Sequence, residues 1–317
     1  MKESFIEHSF SPGIALMLEH VNRILDDYAG QGYKLTLRQL FYQMVSLDLF
    51  PDDRKWRWTG TKWVRDPNGT KNAQPNYKWL GDIVTDGRLA GLVDWEMIED
   101  RGRELVENAH WGSPAEIVEA CAKQFRVDKW ANQPCHVEVM VEKQALEGIL
   151  IPVCKDLDIP FTANKGYSSS SALYEAGKRM LAKAGDGKKV HVIYLGDHDP
   201  SGIDMTRDVQ DRLNLFSRGE FAVEMHRVAL NIEQVQRLSL PENPTKMDDS
   251  RAAAYIERFG HSSWELDALE PRALVRLVRD QVRRLRDQAQ WNADAEREAT
   301  MKAELQAFAD DYGNEGN

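Results

Sequence analysis

Apolar residues recur at helical spacing early in the chain and gather into short unbroken runs later. Ile14, Leu18, Val21 and Leu25 fall on one face of a helix predicted over Ile14–Tyr28, which Gly30 and Gly32 end. A second helix is predicted over Leu35–Leu49, with Pro51 after it. Its apolar stripe is Leu37, Leu40, Phe41 and Met44. At about 100° per residue, Tyr42 lies nearly opposite the centre of that stripe, with Arg38 one turn earlier. Tyr42 is therefore expected off the core.

Past Asn132-Gln133-Pro134 the pattern changes. His136–Val141 (HVEVMV), Ile159–Ala163, Val190–Leu195 (VHVIYL) and Ala222–Leu230 read as short strands. Helical runs lie between and after them: Ala145–Leu157, Ala172–Ala184, a run through Ile203, Met205, Val209 and Leu213, and Asn231–Leu238. Strands alternating with helices predict a mainly parallel α/β sheet. Ala115–Phe125, capped by Ser113, reads as a connecting helix. From Pro271, Arg272, Arg276, Arg279, Arg283 and Arg286 recur opposite Leu274, Leu277, Val278, Val282 and Leu285, the pattern of a helix with a solvated basic face.

Two of the strands end in acids. Val190–Leu195 runs into Gly196-Asp197-His198-Asp199-Pro200-Ser201-Gly202, with Asp199 or Ser201 placed to cap the helix that follows and Pro in its first turn. His136–Val141 runs into Glu142-Lys143. Side chains two apart on extended chain share a face, and two carboxylates about 5 Å apart repel by roughly 3 kcal/mol at an effective dielectric near 20. A proton, a base or a cation must resolve that repulsion, and a hard divalent ion suits oxygen donors best. In a parallel sheet, Glu142, Asp197 and Asp199 all reach the carboxyl end, where open α/β folds bind ligands.

Glu142 followed by Asp197-His198-Asp199 resembles the Toprim domain of topoisomerases, primases and some nucleases. The longer string GDHDPSGIDM is similar to the version in the A subunit of topoisomerase VI and in the related meiotic double-strand-break proteins. Thr36–Phe50 (TLRQLFYQMVSLDLF) resembles that family's tyrosine segment, with Tyr42 at the nucleophile's position and Arg38 before it. The resemblance spans roughly residues 30 to 230; residues 49 to 112 depart from it. It implies metal-dependent DNA cleavage by tyrosine transesterification, with Mg²⁺ or Mn²⁺ held by Glu142, Asp197 and Asp199. It also implies a homodimer on double-stranded DNA, in which one subunit's tyrosine meets the other's acids, and a separate GHKL-type ATPase subunit. Glu142 is a candidate general acid toward the leaving oxygen. Reaching phenolate at neutral pH costs a free tyrosine roughly 4 kcal/mol, which Arg38 and a cation would have to offset. Two other readings use the same residues: a hydrolytic Toprim nuclease with water as nucleophile, and a non-catalytic winged-helix DNA-binding protein.

Charge adds a candidate surface. The chain carries a formal charge of −10, yet Arg54–Leu80 holds Arg54, Lys55, Arg57, Lys62, Arg65, Lys71 and Lys78 against one acid, Asp66, with Trp56, Trp58, Trp63, Tyr77 and Trp79 interleaved. This composition reads as a hairpin or wing lying on a nucleic-acid backbone. Lys165, before the serine run Ser168–Ser171, is a further candidate phosphate contact. Acids gather in the tail after Arg286. Its Ala, Glu, Gln and Asp composition predicts a peripheral helix at most, or disorder.

The resulting expectation is a winged-helix-like α+β domain over 1–111, a connecting helix and linker over 112–135, a Toprim-like α/β domain over 136–286 and an acidic tail over 287–317. Three scattered cysteines form no framework, and no stretch approaches the eighteen apolar residues of a membrane span. A cytoplasmic protein with no membrane partner is expected. The eight histidines show no ligand spacing, and His198 is read as an orienting or bystander residue. Glu265 and Asp267, in Trp264-Glu265-Leu266-Asp267, have no assigned role.

Overall fold

A computed structural model describes residues 2–98, 108–164, 168–247 and 249–315. Helix α1 (Pro12–Ala29) buries Met17, Leu18, Val21, Ile24, Leu25 and Tyr28, the face its periodicity marks. Helix α2 (Leu37–Ser46) starts on a capping box, in which Thr36 accepts from the Gln39 N–H and Gln39 accepts in return. A two-stranded antiparallel hairpin follows, β1 (Trp56–Trp58) and β2 (Trp63–Arg65). Helix α3 (Gln74–Leu89) then packs across α1, so closely that a Cβ on Gly87 would lie 2.5 Å from the Leu18 side chain. Because α3 begins at Gln74, Tyr77, Lys78 and Trp79 stand on a helix, and the basic hairpin is shorter than Arg54–Leu80. Trp56 Nε1 donates to buried Asn76 Oδ1 at 2.9 Å, tying hairpin to helix.

After α4 (Pro114–Gln124), capped by Ser113, the chain forms a four-stranded, all-parallel sheet in the order β4-β3-β5-β6. The strands are β3 (Cys135–Val141), β4 (Phe161–Ala163), β5 (Lys189–Leu195) and β6 (Val223–Ala229). Helices α5 (Glu147–Asp156), α6 (Ser170–Gly185), α7 (Pro200–Phe216), α8 (Ile232–Leu238), α9 (Ala252–Phe259) and α10 (Pro271–Leu285) fill the intervals and the segment beyond. On one face, Val137, Val139 and Ile193 meet Ile149, Leu150 and Val153 of α5 and Leu274, Val278 and Val282 of α10. On the other, Val190, Val192 and Tyr194 meet Leu173 and Met180 of α6 and Val209 and Leu213 of α7. Cover on both faces explains why the central strands read as unbroken apolar runs.

The last segment corrects the sequence expectation. Residues 288–315 form a long helix, α11 (Gln288–Glu315), packed on α4. Trp291 meets Trp130 edge to face at 5.8 Å, and Glu298 accepts from the Val127 N–H and from the Lys129 ammonium at 2.7 Å. One of its acids, Glu298, is used for docking, so low mean hydropathy did not leave the helix free, and the 112–135 segment is its docking partner. The solvated basic face of α10 is as expected, with Arg272, Arg276 and Arg283 exposed. No described helix is long and apolar enough to cross a membrane.

Candidate functional site

The register of β3 on β5 pairs Val141 with Leu195, so the residues that follow emerge side by side. The Glu142 N–H donates to Leu195 O at 2.9 Å, and the Asp197 N–H donates back to Glu142 Oε2 at 2.8 Å. Asp199 caps α7, accepting from the Gly202 N–H at 2.6 Å. This turn demands glycine. A Cβ on Gly202 would sit 2.3 Å from Asp197 O and 3.0 Å from Glu142 Oε2, and one on Gly196 would sit 2.9 Å from the same carboxylate oxygen.

The three acids open into one cleft of about 420 Å³. Its other walls were not foreseen. The backbone of His198 exchanges hydrogen bonds with Trp264 at 2.8 and 2.9 Å, and the Leu266 N–H donates to Asp197 Oδ1 at 2.7 Å. Those bonds bring Glu265 and Asp267 into the cleft. Arg38 reaches across from α2, with Nη2 at 2.8 Å from Glu265 Oε2 and Nε at 2.9 Å from Asp267 Oδ2. Lys143, beside Glu142 in the sequence, places its ammonium 2.9 Å from Asp197 Oδ2 and 3.3 Å from Asp267 Oδ2, and it also contacts Glu265. Arg227, half-buried behind the turn, donates to the carbonyls of Gly196, Asp197 and Gly202 and holds the acidic loop in place.

The charges settle unequally. Burial, with the charge of Asp199 adding to it, raises the Glu142 carboxyl above its ordinary range. Burial raises Asp197 well above its range although Lys143 pulls it down. Glu265 goes the other way: against burial, Lys143 and Arg38 hold it down at about 2. Two adjacent carboxyls with raised proton affinity in a concave site mark a candidate functional site. Five carboxyl groups line the cleft against the cationic heads of Arg38, Lys143 and Lys246, a surplus of two negative charges when all are ionised. Two buried polar atoms of lining residues, Asn164 Nδ2 and Asp267 Oδ1, have no hydrogen-bond partner among the described residues.

Tyr42 differs from its expected placement. It is 5% exposed and belongs to the core of the helical unit, because α2 is enclosed by α1, α3 and the Leu266–Ala268 turn as well as by its own apolar stripe. The Arg38 guanidinium lies 5.6 Å from its ring centroid. Burial, with Glu265 adding to it, pushes the phenol up, while Arg38 and Lys143 only partly oppose the rise. The neighbourhood therefore disfavours phenolate. His198 is buried, donating or accepting at Tyr255 Oη over 2.7 Å, and burial lowers its imidazole to about 4. It supports the loop and does not face the acids.

The basic stretch is largely engaged with itself. Arg57 pairs with Asp66 at 2.6 Å, and Lys71, nearly buried, pairs with Asp48 at 2.7 Å and Asp52 at 3.0 Å. Lys55 lies 3.9 Å from Asp52. Arg54 stacks on Trp79 and Arg65 on Trp56, at 3.4 and 4.2 Å from the ring centroids. Lys62 on the hairpin and Lys78 on α3 stay exposed. Lys165 lies outside the described residues.

A compact metal-ligating group stands elsewhere: His191, Glu224 and His226 bring one ligand atom each within 4.8 Å of one another and could hold a metal ion. Sequence spacing concealed it, since pairing of β5 with β6 creates it. A scan against protein-family models and searches of curated proteins and of solved structures find no match to this chain.

Proposed function

We propose that the cleft cleaves phosphodiester bonds of DNA with the help of Mg²⁺ or Mn²⁺, in the manner of a Toprim nuclease, with water as the nucleophile. The observation that carries this reading is the pairing of Glu142 and Asp197 across adjacent parallel strands, both with raised proton affinity, beside three cationic heads. The donors suit a hard divalent ion in kind, since every acidic donor is a carboxylate oxygen and the surplus charge is two; their oxygens do not close into a three-ligand group within 4.8 Å, and such an ion needs only one or two protein carboxylates and keeps waters. Glu142 and Asp199 would hold it, with Asp197 joining once Lys143 turns aside. When bound, the ion supplies charge neutralisation at the phosphate and an acidified water.

The remaining roles fall to the chain. Arg38 and Lys246 orient the phosphate, and Asn164 Nδ2 offers it a free donor. As the water's hydroxyl adds to phosphorus and the bond to the leaving oxygen breaks, the proton that the water gives up passes through solvent to that oxygen, while Glu142 stays ionised as a ligand. Lys62 and Lys78 extend the phosphate track.

The tyrosine route is the second reading. Arg38 and Tyr42 sit on α2, which packs on the loop bearing Glu265 and Asp267 of the same chain. A second copy, or a separate ATPase subunit, would have to uncover and deprotonate the buried Tyr42 for it to attack. Incubating the protein with supercoiled plasmid and Mg²⁺ or Mn²⁺ separates the readings. Hydrolysis gives free ends, survives Tyr42→Phe and fails with Asp197→Ala. Protein attached to 5′ ends, lost in Tyr42→Phe, supports the tyrosine. Gel shifts without cleavage in either metal identify a binding module and reject both.

A further inference from the structure

We infer that His191, Glu224 and His226 form a transition-metal site of the Zn²⁺ class with an open coordination position. It stands in the amino-terminal half of β5 and β6, with His191 six residues and roughly 20 Å along the strand before Asp197 and His226 level with Ile193. His191 Nδ1 lies 3.0 Å from His226 Nε2 and 3.3 Å from Glu224 Oε2. Metal–ligand bonds of 2.0 to 2.2 Å in a tetrahedron hold donors about 3.4 Å apart, so the ligands stand close to coordinating distance. The two rings are stacked, 29° between planes. Two neutral imidazoles and a carboxylate select borderline ions over Mg²⁺, unlike the oxygen-only cleft.

Register explains the cluster. β5 pairs His191 with Glu224 and Ile193 with His226, so all three side chains project from one face of adjacent strands. That face is the one covered by α10, but β6 is the sheet edge, and the Glu224 side chain is 54% exposed while His191 is buried. The site is thus anchored on its inner side and open on its outer side, leaving a fourth position to water or a small anion. Cys135, on the same face, donates its thiol to Leu285 O at 3.3 Å and lies outside the set.

The test is a Co²⁺ titration of the full, metal-stripped chain in millimolar Mg²⁺, which fills the hard-ion cleft. One Co²⁺ per chain with visible d–d absorption, displaced by Zn²⁺, is expected. Glu224→Gln and His226→Ala should each weaken it by on the order of 100-fold, at or above the effect of losing an outer-shell partner, with far-UV circular dichroism unchanged. Asp197→Asn should leave it intact. Absence of saturable absorption, undiminished binding in His226→Ala, or loss of binding in Asp197→Asn would overturn the assignment.

Discussion

The carboxyl end of the sheet and the basic hairpin look alike in the sequence, each a dense group of like charges, and the fold treats them in opposite ways. At the sheet end, Glu142, Asp197 and Asp267 are buried beside Lys143, and burial, with the charges of neighbouring acids adding to it, raises the proton affinity of Glu142 and Asp197. At the hairpin, Arg57, Lys55 and Lys71 find carboxylates of the same region, and Arg54 and Arg65 find tryptophans. Glu142 and Asp197 are held desolvated by the sheet and the Trp264–Asp267 loop, whereas the bases are largely satisfied near the surface. Chemistry concentrates where charge stays unresolved.

Cutting the strongest element on the acidic side gives the largest effect. Asp197→Ala should reduce metal-dependent plasmid cleavage about a thousandfold or more, since a bound ion supplies several kcal/mol of charge stabilisation, while Lys62→Ala at low salt should leave the rate near wild type. Gel quantification of nicked and linear plasmid reads both.

Removing the central cation of each region contrasts burial directly. Lys143→Ala leaves Asp197 buried without its ammonium and Glu265 and Asp267 with Arg38 alone, and should cost about 3–5 kcal/mol in urea denaturation. Lys71→Ala should cost clearly less, because its partners Asp48 and Asp52 are exposed and remain hydrated. Equal losses would show that the two regions do not differ in this way.

The raised carboxyl fixes the sign of a pH effect. Below the ordinary glutamate value of 4.5, Glu142 is protonated folded and unfolded, and it contributes no difference. As pH rises, the unfolded chain releases that proton more readily than the folded one, so ionisation of Glu142 lowers stability. Glu142→Gln, which can keep an acceptor for the Asp197 N–H, should therefore melt higher than wild type at pH 8 and equal to it near pH 4. Mg²⁺ should raise the melting point of wild type and not of the variant.

The smallest effects belong to the hairpin. Lys62→Ala and Lys78→Ala should each lower the slope of log affinity for DNA against log salt by about one. Arg57→Ala should change it less, because Asp66 already occupies that guanidinium.

Much of this arrangement was legible. Strand β5 begins one residue before its predicted start, the other strands fall within two residues of theirs, and Asp199 does cap α7. Period and turn chemistry act over a few residues, so they survive translation into structure. The acidic loop's supports did not announce themselves: Arg227 reads as an ordinary strand residue, and Glu265 and Asp267 as unassigned acids. Tyr42 was misplaced because a helical wheel compares faces of one helix, while α2 is enclosed by two other helices and a turn from more than two hundred residues away. The tail was misjudged because composition does not reveal that Glu298 meets Lys129 and Trp291 meets Trp130.

The amino-acid order alone determined the alternation of strand and helix, the acids at two strand ends and the glycines on which their turn depends. Only packing decided which charges meet: Arg38 and Asp267 stand 229 residues apart, and His191 and His226 share a face through strand register. Local propensity is written in neighbouring residues, whereas ion pairing and burial depend on distances that exist once the layers close on one another.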